Sequence, residues 1–352
     1  WVVFIGESFV YGLGIDVDDA PPAKLEAALG EGGRAVEVLN LGRCGTYASR
    51  LLPQVQAAVT LDADVVVLAV GNNEHTMTSF YTGVLGRQPL LTFRVLRALS
   101  HSRLFGLLSR AVGAADGMRV AETVESPVRE LSDPVDAQVY AARRRPPDLS
   151  LFPQAVTGHE VTRILEAEQR LKEEVFEGHL RTLVRTAAAG GAEVVLVTLP
   201  WALYTAPSLS GTTTISEDEA VAIFDKAIRP GPEGPMVWAK RGIEADPFVA
   251  QFHHLEGQEH FKNGDIAAAA DSWRRVAEYD LIPDATPSIN AIIRRVAEEE
   301  GARLADVHEQ TTEPFTRDPE AYFLDKVHMN PKGSRVVADA VAPVVAAALD
   351  AR

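Results

Sequence analysis

The sequence predicts an α/β fold of three layers, α/β/α, with a mainly parallel central sheet and helical insertions. Short runs rich in β-branched residues alternate with longer stretches of helical periodicity, the pattern of a doubly wound sheet. The runs at residues 64–70 and 193–199 are almost continuously apolar, as strands buried on both faces are. Finally, the segments richest in candidate chemistry each follow such a run, at the carboxyl edge where ligands collect in open α/β sheets.

Taken in order, strands are expected at residues 2–5, 35–39, 64–70, 193–199 and 303–307. Helices are expected at 23–29, 50–60, 161–189, 288–300 and 332–349. Gly190-Gly191 ends the third helix with residues suited to positive φ, and Pro331 stands where proline favours a first helical turn. Two insertions, 78–158 and 200–286, interrupt what is read as a single domain over residues 1–352. The first is rich in Arg and Pro, with Arg143-Arg144-Arg145-Pro146-Pro147 as an exposed turn, and is expected to be irregular or partly helical. The second opens with a Ser/Thr/Gly loop at 208–216 and a Pro/Gly cluster at 230–235. It closes with a helical pair at 247–262 and 266–279, broken at Asn263-Gly264. The spacing of Gly257, Phe261, Gly264, Ala269 and Trp273 in that pair resembles a single tetratricopeptide repeat. One such unit cannot bury its own apolar face, so it is expected as a packed appendage on the sheet.

Composition bounds the function. Of 352 residues, 46% are apolar and 24% charged, ordinary for a globular chain that buries a sizeable core. Asp and Glu number 49 against 34 Lys and Arg, a formal charge of −15, which disfavours phosphate backbones and polybasic docking to anionic lipid. A single cysteine, Cys44, excludes an intrachain disulfide and a thiolate metal cluster. No run reaches the roughly 18 apolar residues of a membrane span. The chain opens at Trp1 inside an apolar run, so a segment is expected to be missing upstream, and the compartment is left open.

Four segments carry candidate chemistry. Gly6-Glu7-Ser8 follows the first strand: the glycine permits a sharp turn and leaves a hydroxyl at the rim, although such a serine taken alone is far more often a helix N-cap. Residues 40–46, Asn-Leu-Gly-Arg-Cys-Gly-Thr, follow the second, where glycine lets a backbone N–H approach a ligand; alone this is simply a turn. Cys44 within it has no sequence-local base and is read as a small semi-buried residue. Gly71-Asn72-Asn73-Glu74 ends the most apolar strand with two carboxamides that can donate to a developing oxyanion, or merely stop the strand in an Asx-type turn. Asp325-Lys326-Val327-His328 can turn an aspartate and an imidazole toward one cleft, the carboxylate fixing the tautomer; as an isolated motif it is more often a solvated turn. His253, His254 and His260 sit in the expected hairpin helix without a matching acidic or thiol set and are read as surface or packing residues, so no metal and no cofactor is expected.

In their order and placement these segments together resemble the SGNH, or GDSL-type, serine hydrolases, a superfamily with a flavodoxin-like fold. The match falls on Ser8, Gly45, Asn73, Asp325 and His328. The resemblance implies that Ser8 attacks an acyl carbon, that His328 is the base and that Asp325 orients it. It also implies an oxyanion hole made of the Ser8 N–H, the Gly45 N–H and the Asn73 amide. It covers residues 1–77, 160–200 and 287–350 and leaves the insertions unexplained. Glu7 stands where the name-giving motif has Asp, and Glu74 where Asp often follows Asn. With the hairpin, these departures resemble a branch whose members often carry an N-terminal membrane anchor, which the segment upstream of Trp1 could hold. The implied function is a serine esterase removing a short acyl group, such as acetyl, from a glycan or small metabolite. Acyl transfer through the same acyl-enzyme is the alternative, and an inactive fold used as a binding module is the reading from another class. His75, beside the third segment, is a weaker candidate for lining the substrate cleft.

Overall fold

The apolar runs become five strands, β1 (Val2–Gly6), β2 (Val38–Gly42), β3 (Val65–Ala69), β4 (Glu193–Val197) and β5 (Arg303–Ala305). They pair in parallel in the order β2-β1-β3-β4-β5, the flavodoxin-like order. This computed structural model describes residues 1–74, 159–207, 214–229, 231–280 and 286–352, without the side chains of 159–172 and 217. The Arg/Pro-rich insertion, His75 and most of the Ser/Thr/Gly loop lie outside the described residues.

The helices of these residues are α1 (Ser8–Tyr11), α2 (Pro21–Glu31), α3 (Leu52–Thr60), α4 (His159–Ala189), α5 (Glu217–Ile228) and α6 (Pro235–Ala245). They continue with α7 (Ala250–Lys262), α8 (Ile266–Tyr279), α9 (Pro287–Glu300), α10 (Val307–Arg317) and α11 (Pro331–Asp350). On one face of the sheet α2 packs beside α11; on the other lie α3, α4 and α9. β1 and β3 are buried throughout, which is why their sequences show no alternation. Helix α4 turns Phe176, Leu180, Leu183 and Ala187 inward at helical spacing. It ends at Ala189, and Gly191 just beyond has a φ of +89° that fits the expected stop.

Several boundaries differ from the sequence reading, most of all in the second and fifth strands. The second strand is Val38–Gly42 rather than 35–39, because its pairing with β1 runs from Val2↔Val38 to Gly6↔Gly42. Asn40, Leu41 and Gly42 are therefore strand residues, and the following loop is shorter than expected. β2 is the edge strand and only half-buried, so its apolar signal is weak and shared with the residues before it. Val307 belongs to α10, since the Asp306 side chain caps that helix by accepting from Glu309 N at 3.4 Å. Helices α1, α5, α6 and α10 were not anticipated.

The second insertion is thus more than a loop and a hairpin. Phe224 of α5, Ala239 of α6 and Phe252 of α7 share a small apolar cluster. Gly242 lets α6 meet α7 closely, because a Cβ there would stand 2.5 Å from the Phe252 ring. Gly257 does the same for α7 and α8, where a Cβ would fall 2.3 Å from the Trp273 indole nitrogen. Ala269, Ala270, Trp273 and Val276 of α8 belong to the main core, so α8 joins the insertion to the sheet domain. None of the helices among the described residues is long and apolar enough to cross a membrane.

Candidate active site

The parallel register sets the site. Gly6 lies opposite Gly42 on one side and Ala69 on the other, so three chain segments leave the sheet at one level. Both glycines are dictated by space. A Cβ on Gly6 would stand 2.4 Å from the Ala69 carbonyl oxygen, and one on Gly42 would stand 2.3 Å from the Tyr11 nitrogen. Without those side chains, α1 begins directly after β1 and lies across the end of β2. Asn40 reinforces this, donating to the Val10 carbonyl at 3.0 Å and accepting from Gly42 N at 2.8 Å. Ser8 is the first residue of α1 rather than its cap, and its side chain bonds no backbone N–H of the helix.

The Ser8 hydroxyl instead meets an imidazole from 320 residues away, with Ser8 Oγ 2.7 Å from His328 Nε2. His328 Nδ1 lies 2.8 and 3.0 Å from the two carboxylate oxygens of Asp325. The carboxylate can only accept, so Nδ1 carries the proton, and Nε2 is left to accept from the serine. Both Ser8 and His328 are buried to about nine-tenths. Burial acts to raise the Asp325 pKa. The hydrogen bonds and charge of His328, with the N–H groups of His328 and Val327, outweigh it and hold the carboxyl well below the usual carboxylate range.

The turn that presents this pair is closed by backbone pairing. Leu324 N donates to the His328 carbonyl at 2.7 Å, and Asn330 N to the Tyr322 carbonyl at 2.9 Å. Asn330 then caps α11, accepting from Gly333 N at 3.0 Å. A segment that in isolation reads as a solvated turn is thus a built one.

The segment after β3 is organised from beneath by Glu7, which is fully buried. Its carboxylate accepts from Gly71 N at 3.2 Å, Asn72 N at 2.9 Å and Asn73 N at 3.4 Å. Burial first, then the nearby Glu74 charge, push the Glu7 pKa well above its ordinary value, and the three N–H donors oppose that rise. Glu74, also buried, accepts from Ala48 N at 2.8 Å and so ties this segment to the loop after β2. Asn73 reaches the same loop, its Nδ2 donating to the Thr46 carbonyl at 3.0 Å. One of the two amide hydrogens is thereby fixed, and the other is left to donate elsewhere. Gly45, next to Thr46, is exposed and has φ of +61°, a conformation that suits glycine.

Of the residues singled out from the sequence, Ser8, Asp325 and His328 form one hydrogen-bonded chain, and Asn73 is tied to the loop that holds Gly45. Cys44 is exposed rather than semi-buried, because the turn carrying it, with Arg43 and Gly45, stands out from the edge strand. His253 and His254 are buried packing residues: His253 Nε2 donates to the Pro247 carbonyl at 2.8 Å, and His254 Nε2 accepts from Gln258 at 3.0 Å. No group of three potential metal ligands occurs among the described residues. The roles of Glu7 and Glu74 as backbone acceptors were missed, since one carboxylate beside a serine carries no local signal of what it will accept.

No protein-family model matches the chain, and no curated protein matches it. Among solved structures, the chain is similar to an acetyl xylan esterase, AlAXEase, at 13% identity and a TM-score of 0.42, covering 98% of each chain. It is similar to a putative lipolytic protein of the G-D-S-L family from Desulfitobacterium hafniense, at 12% identity and 0.41, over 97% of this chain and 98% of that one. It is also similar to Axe2, an acetylxylan esterase from Geobacillus stearothermophilus, at 11% and 0.42, over 98% and 93%. At these TM-scores the likeness carries no argument, and the chemistry rests on the geometry of the site.

Proposed function

We propose that the chain is a serine esterase that removes a short acyl group, such as acetyl, from an oxygen of a glycan or small metabolite. The observation that carries this reading is the unbroken contact Asp325–His328–Ser8 at the carboxyl edge of a parallel sheet. Free serine is a weak nucleophile and needs a positioned base. His328 takes the Ser8 proton as Oγ attacks the acyl carbon, and Asp325 stabilises the imidazolium that forms. The oxyanion is received by the N–H groups of Ser8 and Gly45 and by the free Asn73 amide hydrogen. When the tetrahedral species collapses, His328 returns its proton to the departing alcohol. Water then repeats the sequence on the acyl-enzyme, with His328 again as base, and releases the acid. No step requires a metal or cofactor. We read the α7–α8 hairpin as the tetratricopeptide-like unit of the sequence pattern, used as an appendage of the fold.

The test is covalent labelling of Ser8 by a fluorophosphonate, paired with p-nitrophenyl esters of increasing chain length and the Ser8→Ala control. The expected result is one adduct on Ser8 and turnover that declines as the acyl chain lengthens. A folded protein that neither labels nor hydrolyses any ester would replace this reading with a binding role. A dominant transacylated product in the presence of sugar alcohols would replace hydrolysis with acyl transfer.

A further inference from the structure

Between Asp325 and His328 the chain turns a cation the other way. Lys326 Nζ lies 3.5 Å from Oδ2 of Asp280, the residue that ends α8. Asp280 is almost wholly buried, and a carboxylate out of water needs a compensating charge. The same lysine charge, after burial itself, helps hold the α7 residue His254 at a pKa of about 4. Lys326 therefore faces both helices of the hairpin. Its backbone is held from the other side, the Lys326 carbonyl accepting from Ala202 N at 2.8 Å in the loop after β4. One of the two residues that separate Asp325 from His328 in sequence is thus clamped between the sheet domain and the insertion, while Asp325 is occupied with His328.

We infer that Lys326 is a positioning residue through which the hairpin, by way of Asp280, sets the placement of the Asp325–His328 turn. This rests on the esterase reading above. It gives the insertion a part in the reaction: α8 is anchored in the main core through Trp273 and Val276, and its end supports the turn bearing the base. Loss of the Lys326 charge lets that turn drift relative to Ser8.

The experiment uses the full chain with Lys326→Met, Asp280→Asn and the double variant, each titrated with a fluorophosphonate so that turnover is expressed per labelled site. The double variant removes both charges of the pair and keeps the test open if a single variant folds poorly. Expected is a fall in kcat per labelled site of about tenfold to a hundredfold, the scale that a misplacement of about 1 Å imposes. KM should be unchanged, the double variant no worse than Lys326→Met, and Lys326→Arg should recover most of the rate. Lost labelled sites with full turnover at those that remain would show a merely structural role and overturn the inference. So would wild-type turnover per site in the double variant, or a loss confined to KM. Wild-type protein that fails to label or hydrolyse would instead overturn the esterase reading itself.

Discussion

Replacing Asn73 with alanine isolates transition-state stabilisation from folding. In the ground state Asn73 Nδ2 makes one hydrogen bond, to the Thr46 carbonyl at 3.0 Å, in a half-buried position. Losing it should cost about 1 kcal/mol of stability, the net worth of an ordinary hydrogen bond. The backbone of the segment stays in place, because Gly71, Asn72 and Asn73 donate their N–H groups to Glu7 whatever side chain residue 73 carries. In the proposed oxyanion hole the second amide hydrogen matters only when negative charge develops on the substrate oxygen. Removing one such donor costs about 2.7–4 kcal/mol in the transition state, so kcat should fall by about 10²–10³ with KM little changed. The assay is steady-state hydrolysis of the best p-nitrophenyl ester, with urea unfolding as the control on folding. Turnover within threefold of wild type in a fully folded Asn73→Ala protein would remove Asn73 from the oxyanion hole. A fall in stability matching the fall in rate would make its role structural instead.

Three further outcomes are expected. Asp325→Asn should reverse the donor pattern facing Nδ1 and lower kcat by about 10⁴ without unfolding the protein, and a loss below tenfold in titrated enzyme would refute the tautomer argument. Because the Asp325 carboxyl lies far below the usual range, its contribution to stability is present above the unfolded value of 3.8 and is lost only as pH falls through its native pKa. Glu7 runs the other way. Its native pKa is raised, so the folded state keeps a proton that the unfolded chain releases near 4.5, and its stabilising contribution is full below 4.5 and lost as pH rises through the native value. Urea midpoints should show wild type losing up to about 1.4 kcal/mol per pH unit over that window relative to Glu7→Gln, whereas parallel curves would exclude Glu7 as the source. Gly257→Val should force α7 off Trp273 and cost about 1–3 kcal/mol, measured by thermal unfolding, and an unchanged Tm would mean the hairpin is looser than its packing indicates.

The legible parts of this molecule are those where one physical demand dominates a segment. Strands β1, β3 and β4 are buried on both faces, so continuous apolar runs announce them. The three-residue interval of Asp325 and His328 announces a turn, and Gly6 before Ser8 announces a sharp exit from a strand. The less legible parts answer to partners distant in sequence. β2 begins three residues late because its register is set by β1, and its half-buried residues carry a diluted signal. Helices α5 and α6 pack on α7 rather than on the sheet, around a core so small that loop-forming residues at their ends mask the periodicity. Glu7 reads as a variant of a motif, and its burial under three N–H donors is visible only once residues 71–73 have been brought 64 to 66 positions back to it.

The hydroxyl and the imidazole stand 320 residues apart along the chain, and this has a consequence for biosynthesis. During synthesis the ribosome releases the histidine 320 residues after the serine. Until then a growing polypeptide presents a hydroxyl with no base to ionise it. On the esterase reading, the proposed chemistry is therefore closed to any product of synthesis that stops short of His328.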